Sequence, residues 1–145
     1  MSRVTILHVE DDSNDVLLLQ HACEGAGLTC HLTSVTDGDE AIAYLSGQNG
    51  FHNREQHPLP QLILLDLKMP RVNGFDVLAC MRHQEQFRHL PVVVLTSSNH
   101  EADVRRAYEA GANSYLVKPV DFNALTNLIK TIHYYWLTLN EGLED

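Results

Sequence analysis

Long apolar runs are missing from this chain of 145 residues. Those present, such as Leu62-Ile63-Leu64-Leu65, are strand-length and far short of the ~20 residues that span a bilayer. Cysteine is scarce and odd in number: Cys23, Cys30 and Cys80, with no Cys-x-x-Cys spacing. Neither a disulfide framework nor a zinc site is expected, and the thiols read as reduced and mostly buried. Basic residues are outnumbered, 10 Lys plus Arg against 19 Asp plus Glu, for a formal charge of −9. That balance argues against nucleic-acid binding through the general surface and against docking on an anionic membrane. Met1-Ser2-Arg3-Val4-Thr5 lacks the apolar core of a secretory signal, so a cytoplasmic protein is expected. No internal repeat or low-complexity segment is visible.

What is present is an ordinary globular composition, 44% hydrophobic and 20% charged, in a chain long enough for one core of its own. Two ordinary domains of about 100–150 residues each do not fit. One domain over residues 1–140 is expected, with a long polar loop at 47–60, an aromatic extension of the last helix at 133–140, and a tail at 141–145. Short β-branched runs alternate with helical patterns. Strands are expected at Val4–Val9, Thr29–Val35, Gln61–Asp66, Pro91–Thr96 and Ser114–Val117. Helices are expected at Asp15–Ala26, Asp39–Leu45, Gly74–Gln84, Glu101–Ala110 and from near Asp121. That alternation is the pattern of a parallel sheet covered on both faces. Gly27 and Gly111 fall where left-handed residues end helices. Ser13 or Asn14 is a candidate cap for the first helix and Asp121 for the last.

Open α/β sheets place ligands at the carboxyl ends of their strands. Here those ends carry Glu10-Asp11-Asp12, Asp66, Thr96-Ser97 and Lys118-Pro119. Clustered carboxylates repel one another unless a cation sits among them. Oxygen donors without thiolate suit Mg²⁺. A carboxylate beside Mg²⁺ can attack phosphorus and form an aspartyl phosphate, with Lys118 and Thr96 on the remaining phosphoryl oxygens. Asp12 reads either as a further acid of this cluster or as a helix-start charge. The nine histidines, His52 and His57 among them, lack ligand spacing and read as scattered surface groups. Lys130, Arg82, Arg105 and Arg106 read as solvated helix faces.

These residues resemble the receiver domain of two-component response regulators. The matching stretches are Ile6-Leu7-His8-Val9-Glu10-Asp11-Asp12, Leu64-Leu65-Asp66-Leu67-Lys68-Met69-Pro70 with Asn73-Gly74, Val94-Leu95-Thr96-Ser97, and Ala110-Gly111-Ala112 leading to Tyr115-Leu116-Val117-Lys118-Pro119. The resemblance covers roughly Arg3 to Ile132. It implies a flavodoxin-like (CheY-like) doubly wound sheet of strand order 2-1-3-4-5 with five helices. It makes Asp66 the phosphoacceptor, and makes Glu10, Asp11, Asp66 and the backbone carbonyl of Lys68 the Mg²⁺ set. Thr96 and Tyr115 become the switch pair, and Lys118 the phosphate-binding lysine. The resemblance also implies a cis Lys118–Pro119 bond and a role for Lys68 and Ser98 in tuning phosphoryl lifetime. The partner it implies is a sensor histidine kinase. With only Asn140–Asp145 after the last helix, output is expected through protein–protein contacts rather than through an attached domain or turnover of an external substrate.

Two stretches exceed a minimal receiver. One is the 47–60 loop. The other is the apolar stripe Phe122, Leu125, Ile129, Ile132, Trp136 and Leu139, at steps of three and four residues. Its end, with Tyr135, Trp136 and Leu139, either folds back as extra core or forms a homodimer interface. Together with Asp-Leu-Lys-Met-Pro-Arg these stretches resemble the small single-domain regulators that partner bacterial phytochromes. The alternatives are a phosphorelay intermediate or chemotaxis-type regulator for another kinase. A Mg²⁺-dependent phosphohydrolase is the weaker reading, since Lys68 stands where such enzymes usually carry a second Asp.

Overall fold

A computed structural model describes residues 4–28, 31–67, 69 and 73–143. Five strands form one parallel sheet: β1 (Thr5–Val9), β2 (His31–Val35), β3 (Leu62–Leu65), β4 (Val92–Thr96) and β5 (Ser114–Val117), in the order β2-β1-β3-β4-β5. Helices α1 (Ser13–Gly25), α2 (Gly38–Ser46), α3 (Gly74–His83), α4 (Glu101–Ala110) and α5 (Phe122–Ile132) alternate with them. The expected architecture and strand order are therefore the observed ones.

The central strands β1, β3 and β4 are buried throughout, while the edge strands β2 and β5 are largely half-buried. This is why the central runs read as unbroken apolar stretches: helices cover both faces of a parallel sheet. Because side chains alternate along a strand, the sheet divides its residues between two cores. Ile6, Leu62, Leu64, Val93 and Leu95 pack with Leu19, Ala22 and Cys23 of α1 and with Ile129 and Ile132 of α5. Leu7, Val9, Ile63, Leu65 and Val92 pack with Tyr44 and Leu45 of α2 and with Val77, Leu78 and Met81 of α3.

Helix starts follow capping chemistry, with one correction. The Asp12 side chain, rather than Ser13 or Asn14, caps α1, accepting from the backbone N–H groups of Asn14 (2.9 Å) and Asp15 (3.4 Å). An ionised carboxylate satisfies two of the orphan donors at the positive end of the helix, which a hydroxyl or amide does less strongly. Asp37, Asn73 and Asp121 cap α2, α3 and α5. Arg82, expected on a solvated face, is tied down instead, whereas Arg106 is exposed as expected. Arg82 donates to the carbonyls of Leu90 (2.9 Å) and Gly111 (2.9 Å) and to Asn113 Oδ1 (2.8 Å). The Arg106 guanidinium lies 4.1 Å over the Phe75 ring.

The 47–60 loop is built into the fold. Arg54 donates to the carbonyls of Tyr44 (2.9 Å), Leu45 (2.9 Å) and His57 (3.2 Å), which satisfies the end of α2. The Tyr44 hydroxyl donates to Pro58 O at 2.8 Å, and the Phe51 and His57 rings pack against Tyr44. Charged hydrogen bonds are each worth about 1.5–3 kcal/mol. Arg54→Ala should therefore lower stability by about 2 kcal/mol, read as a reduced denaturant midpoint, while Arg54→Lys recovers little because an ammonium lacks the fork.

The last helix does not continue as the single stripe expected. After Ile132 the chain winds wider, as a π-helix over His133–Leu139, closed by Asn140 N–H donating to Tyr135 O at 2.7 Å. The i→i+5 pairing shifts the phase of every later side chain. Trp136 and Leu137 turn onto the α1–α5 core, whereas Tyr134, Tyr135 and Leu139 stay exposed. Of the three candidate interface residues, Tyr135 and Leu139 face outward and Trp136 is half-buried.

Candidate functional site

The register sets the strand ends level: Val9 pairs with Leu65, Leu65 with Val94, and Thr96 with Val117. Glu10, Asp66, Thr96 and Lys118 therefore meet at one edge, above the point where the strand order reverses between β1 and β3. Backbone hydrogen bonds pin them. Glu10 N–H donates to Val35 O (3.0 Å), Asp66 N–H to Val9 O (3.0 Å) and Lys118 N–H to Thr96 O (2.7 Å).

Glu10 and Asp66 are buried and Asp11 is exposed; one carboxylate oxygen from each lies within 4.8 Å of the others. Among the described residues these are the acidic groups placed to share one metal ion. The oxygen-only donor set fits a hard divalent cation. Asp12 is not part of it, being engaged as the α1 cap. Lys68, expected to offer a backbone carbonyl, lies outside the described residues.

The Lys118 ammonium holds the cluster together. It contacts Glu10 Oε1, lies 3.1 Å from Asp15 Oδ2, and stands 3.8 Å from Asp66 Oδ2. Burial opposes its charge, but Glu10, Asp66 and Asp15 outweigh burial and raise its pKa. Burial, then the hydrogen bond shared with Asp66, pushes Glu10 up to about 8, against the pull of Lys118. A cation among these carboxylates would relieve that strain.

Thr96 is 1% exposed and its hydroxyl has no hydrogen-bond partner among the described residues. A buried hydroxyl left unpaired is costly, and at this edge it is a donor in waiting. The Tyr115 ring packs with Leu67, Val94 and Ala107, and its hydroxyl donates to Ser98 O at 2.9 Å. Ser98 in turn donates to Asp103 Oδ2 of α4 at 2.6 Å. Tyr115 is thus linked through the β4–α4 loop to the first turn of α4.

The chain matches the family described as response regulator receiver domain over residues 6–130. It belongs to that family. Among curated relatives, the receiver is 40% identical over 137 residues to the probable methanogenesis regulatory protein FilR2 of Methanothrix harundinacea, covering 94% of this chain and 86% of that one. It is 37% identical over 132 residues to the response regulator Rcp1 of Synechocystis, covering 91% and 88%. Two solved structures are similar along nearly their whole length. The phosphorylated cyanobacterial phytochrome response regulator RcpA superposes with a TM-score of 0.89 at 32% identity, covering 99% of this chain and 100% of that one. The Mn²⁺-bound form of Rcp1 gives 0.84 at 35% identity, covering 97% and 99%.

Against this background three sequence expectations change. The Lys118–Pro119 peptide is trans. The trans form is intrinsically favoured by about 0.5–1 kcal/mol, and with it Lys118 already reaches both Thr96 O and the carboxylates. Asp15, absent from the expected site, is brought in by the first turn of α1. Its one signal in sequence is that it follows the acidic run by a single helical turn. His8, counted among surface histidines, is 2% exposed in β1, its Nδ1 without a partner among the described residues.

Burial first, and Lys118 second, push His8 down to about 3, with Asp66 opposing. An unfolded histidine protonates near 6.5. Between these values unfolded His8 carries a proton that folded His8 does not, so this residue's contribution to stability falls as pH drops from about 6.5 toward 3, by up to about 1.4 kcal/mol per pH unit, while the raised Glu10 contributes with the opposite sign. The difference in stability between metal-free wild type and His8→Leu, from denaturant melts across this range, should carry that slope, because the Glu10 contribution is common to both.

Proposed function

We propose that Asp66 is the phosphoacceptor of this receiver and that the divalent cation is Mg²⁺, held by Glu10, Asp11 and Asp66. The carrying observation is the composition of the β3 edge: a buried carboxylate facing Lys118, beside a buried hydroxyl on Thr96 that has no partner among the described residues. A carboxylate oxygen of Asp66 attacks phosphorus in line. The P–N bond of a phosphohistidine donor breaks, its electron pair stays on the imidazole nitrogen, and an acyl phosphate forms. When bound, Mg²⁺ supplies neutralisation of charge on the phosphoryl oxygens. Lys118 donates to a second oxygen and Thr96 to a third. Engagement of Thr96 draws its hydroxyl toward the phosphoryl group, and Tyr115 fills behind it. The Tyr115–Ser98–Asp103 hydrogen bonds carry that change to α4 and the face beside β5 and α5, where protein partners are exchanged.

The donor is a sensor histidine kinase, and the similarity to RcpA and Rcp1 supports a phytochrome as that kinase. FilR2 supports a second reading, a regulator serving another signal. Phosphotransfer from a panel of purified kinases separates them: preferential transfer from a phytochrome kinase supports the first, and exclusive transfer from kinases lacking a chromophore overturns it. The exposed Tyr134, Tyr135 and Leu139, which extend outward from the α1–α5 core, support homodimerisation through this end. Sedimentation should show dimer dissociation about tenfold stronger (one unit in log Kd, ~1.4 kcal/mol) in Tyr135→Ala and Leu139→Ala. Trp136→Ala should act mainly on stability, since that ring is half-buried against its own chain. An unchanged dimer in the first two variants places the interface elsewhere.

A further inference from the structure

We propose that Asp15 is a positioning residue for Lys118: it holds the ammonium on the α1 side, so that a phosphoryl group on Asp66 must compete for it. The inference rests on the reading of Asp66 as acceptor. Lys118 Nζ is 3.1 Å from Asp15 Oδ2 but 3.8 Å from Asp66 Oδ2. The first is a hydrogen bond and the second is beyond one. An ammonium has three protons to donate. Glu10 and Asp15 take two of them. The lysine that serves a phosphorylated Asp66 therefore rests between Glu10, just past β1, and Asp15 in the first turn of α1.

The placement of Asp15 follows from the helix start. Asp12 caps α1 and accepts from the Asp15 N–H, which fixes the first turn. The Asp15 carboxylate then projects at the strand edge from that rigid base. Its side chain is 36% exposed against 11% for Asp66. Solvent weakens the Asp15 pair more than the Asp66 pair, so the hold is partial and an incoming phosphoryl charge can overcome it. A cavity of about 50 Å³ lies against Lys118 and Asp15, with His8 among its lining residues. That is room for at least one water beside the lysine. Asp15 thus sets how readily the ammonium leaves α1, and with it the affinity of the acceptor carboxylate for a phosphoryl group.

Beryllofluoride, which binds a carboxylate as a phosphoryl mimic, is the probe, titrated with Mg²⁺ and followed by ¹⁹F NMR. Asp15→Asn should tighten binding about threefold or more, the scale of one partly screened ion pair, and Asp15→Glu should restore the wild-type value. In a Lys118→Met background the effect of Asp15→Asn should vanish. Equal tightening there means that Asp15 acts by general repulsion of the anion and overturns the proposal, as does unchanged or weaker binding in Asp15→Asn alone. If Lys118→Met binds too weakly to titrate, the Lys118 Nζ resonance of metal-free protein decides. It should shift in Asp15→Asn, and an unmoved resonance overturns the proposal. The two readings fail separately: wild-type binding that survives Asp66→Asn removes the acceptor assignment, whereas binding lost in Asp66→Asn but indifferent to Asp15→Asn removes only this inference.

Discussion

Asp66→Asn should abolish phosphoryl incorporation, a loss on the order of 100-fold or more, the scale expected when a nucleophile is removed rather than perturbed. With acetyl phosphate and Mg²⁺, intact mass of the wild-type chain should show one added phosphoryl group, and the variant none. The other carboxylates at this edge are poor substitutes. Asp12 is occupied at the helix start, Asp11 is solvent-exposed, and Glu10 is buried and pressed against Lys118. The Asn side chain keeps the shape of Asp but is a weak nucleophile, so the fold should persist and circular dichroism should be unchanged. Labelling of Asp66→Asn at the wild-type level would falsify the acceptor assignment and move attention to Asp11.

Gly74→Ala should be strongly destabilising. Gly74 opens α3, and a Cβ built there would stand 2.5 Å from Asp66 O and 2.7 Å from Leu67 Cα. Both are backbone atoms, so no side chain can swing away. In a helix, Gly→Ala ordinarily gains up to about 1 kcal/mol. Here overpacking against two fixed atoms reverses the sign and costs about 3 kcal/mol or more, a fall in Tm of roughly 10 °C for a chain of this size. The displacement falls on the peptide that follows β3, so phosphorylation should weaken with stability. By contrast Gly142, which meets nothing within 4 Å, should accept alanine with no measurable change. Equal Tm values for the wild type and Gly74→Ala would show that α3 can move away from β3, contrary to the packing described.

Much of this receiver is legible in one dimension because the physics is local. Val92 to Leu95 reads as a strand because an unbroken β-branched run suits a position covered on both faces. Gly111 reads as a helix end because glycine takes up the left-handed conformation that closes helices, and its φ is indeed 111°. Glu10, Asp66, Thr96 and Lys118 group together from the sequence alone, because parallel strands bring all their carboxyl ends to one edge.

What the sequence could not settle depends on side-chain phase and on contacts distant along the chain. Asp15 looks like one more first-turn acid until β5 brings Lys118 to it across the sheet edge, 103 positions away. Arg82 looks like a surface cation until the carbonyls of Leu90 and Gly111 surround it. His8 carries no mark of burial beyond its strand. The aromatic end follows a helical period to Leu139, yet the π-helical turns bring Leu137 onto the core and leave Leu139 outside. Composition and period determine which elements form and which residues reach the functional edge. Only the packed tertiary structure decides which of those residues touch, because touching depends on the rotation of each helix about its axis, and that is set by the neighbours it is packed against.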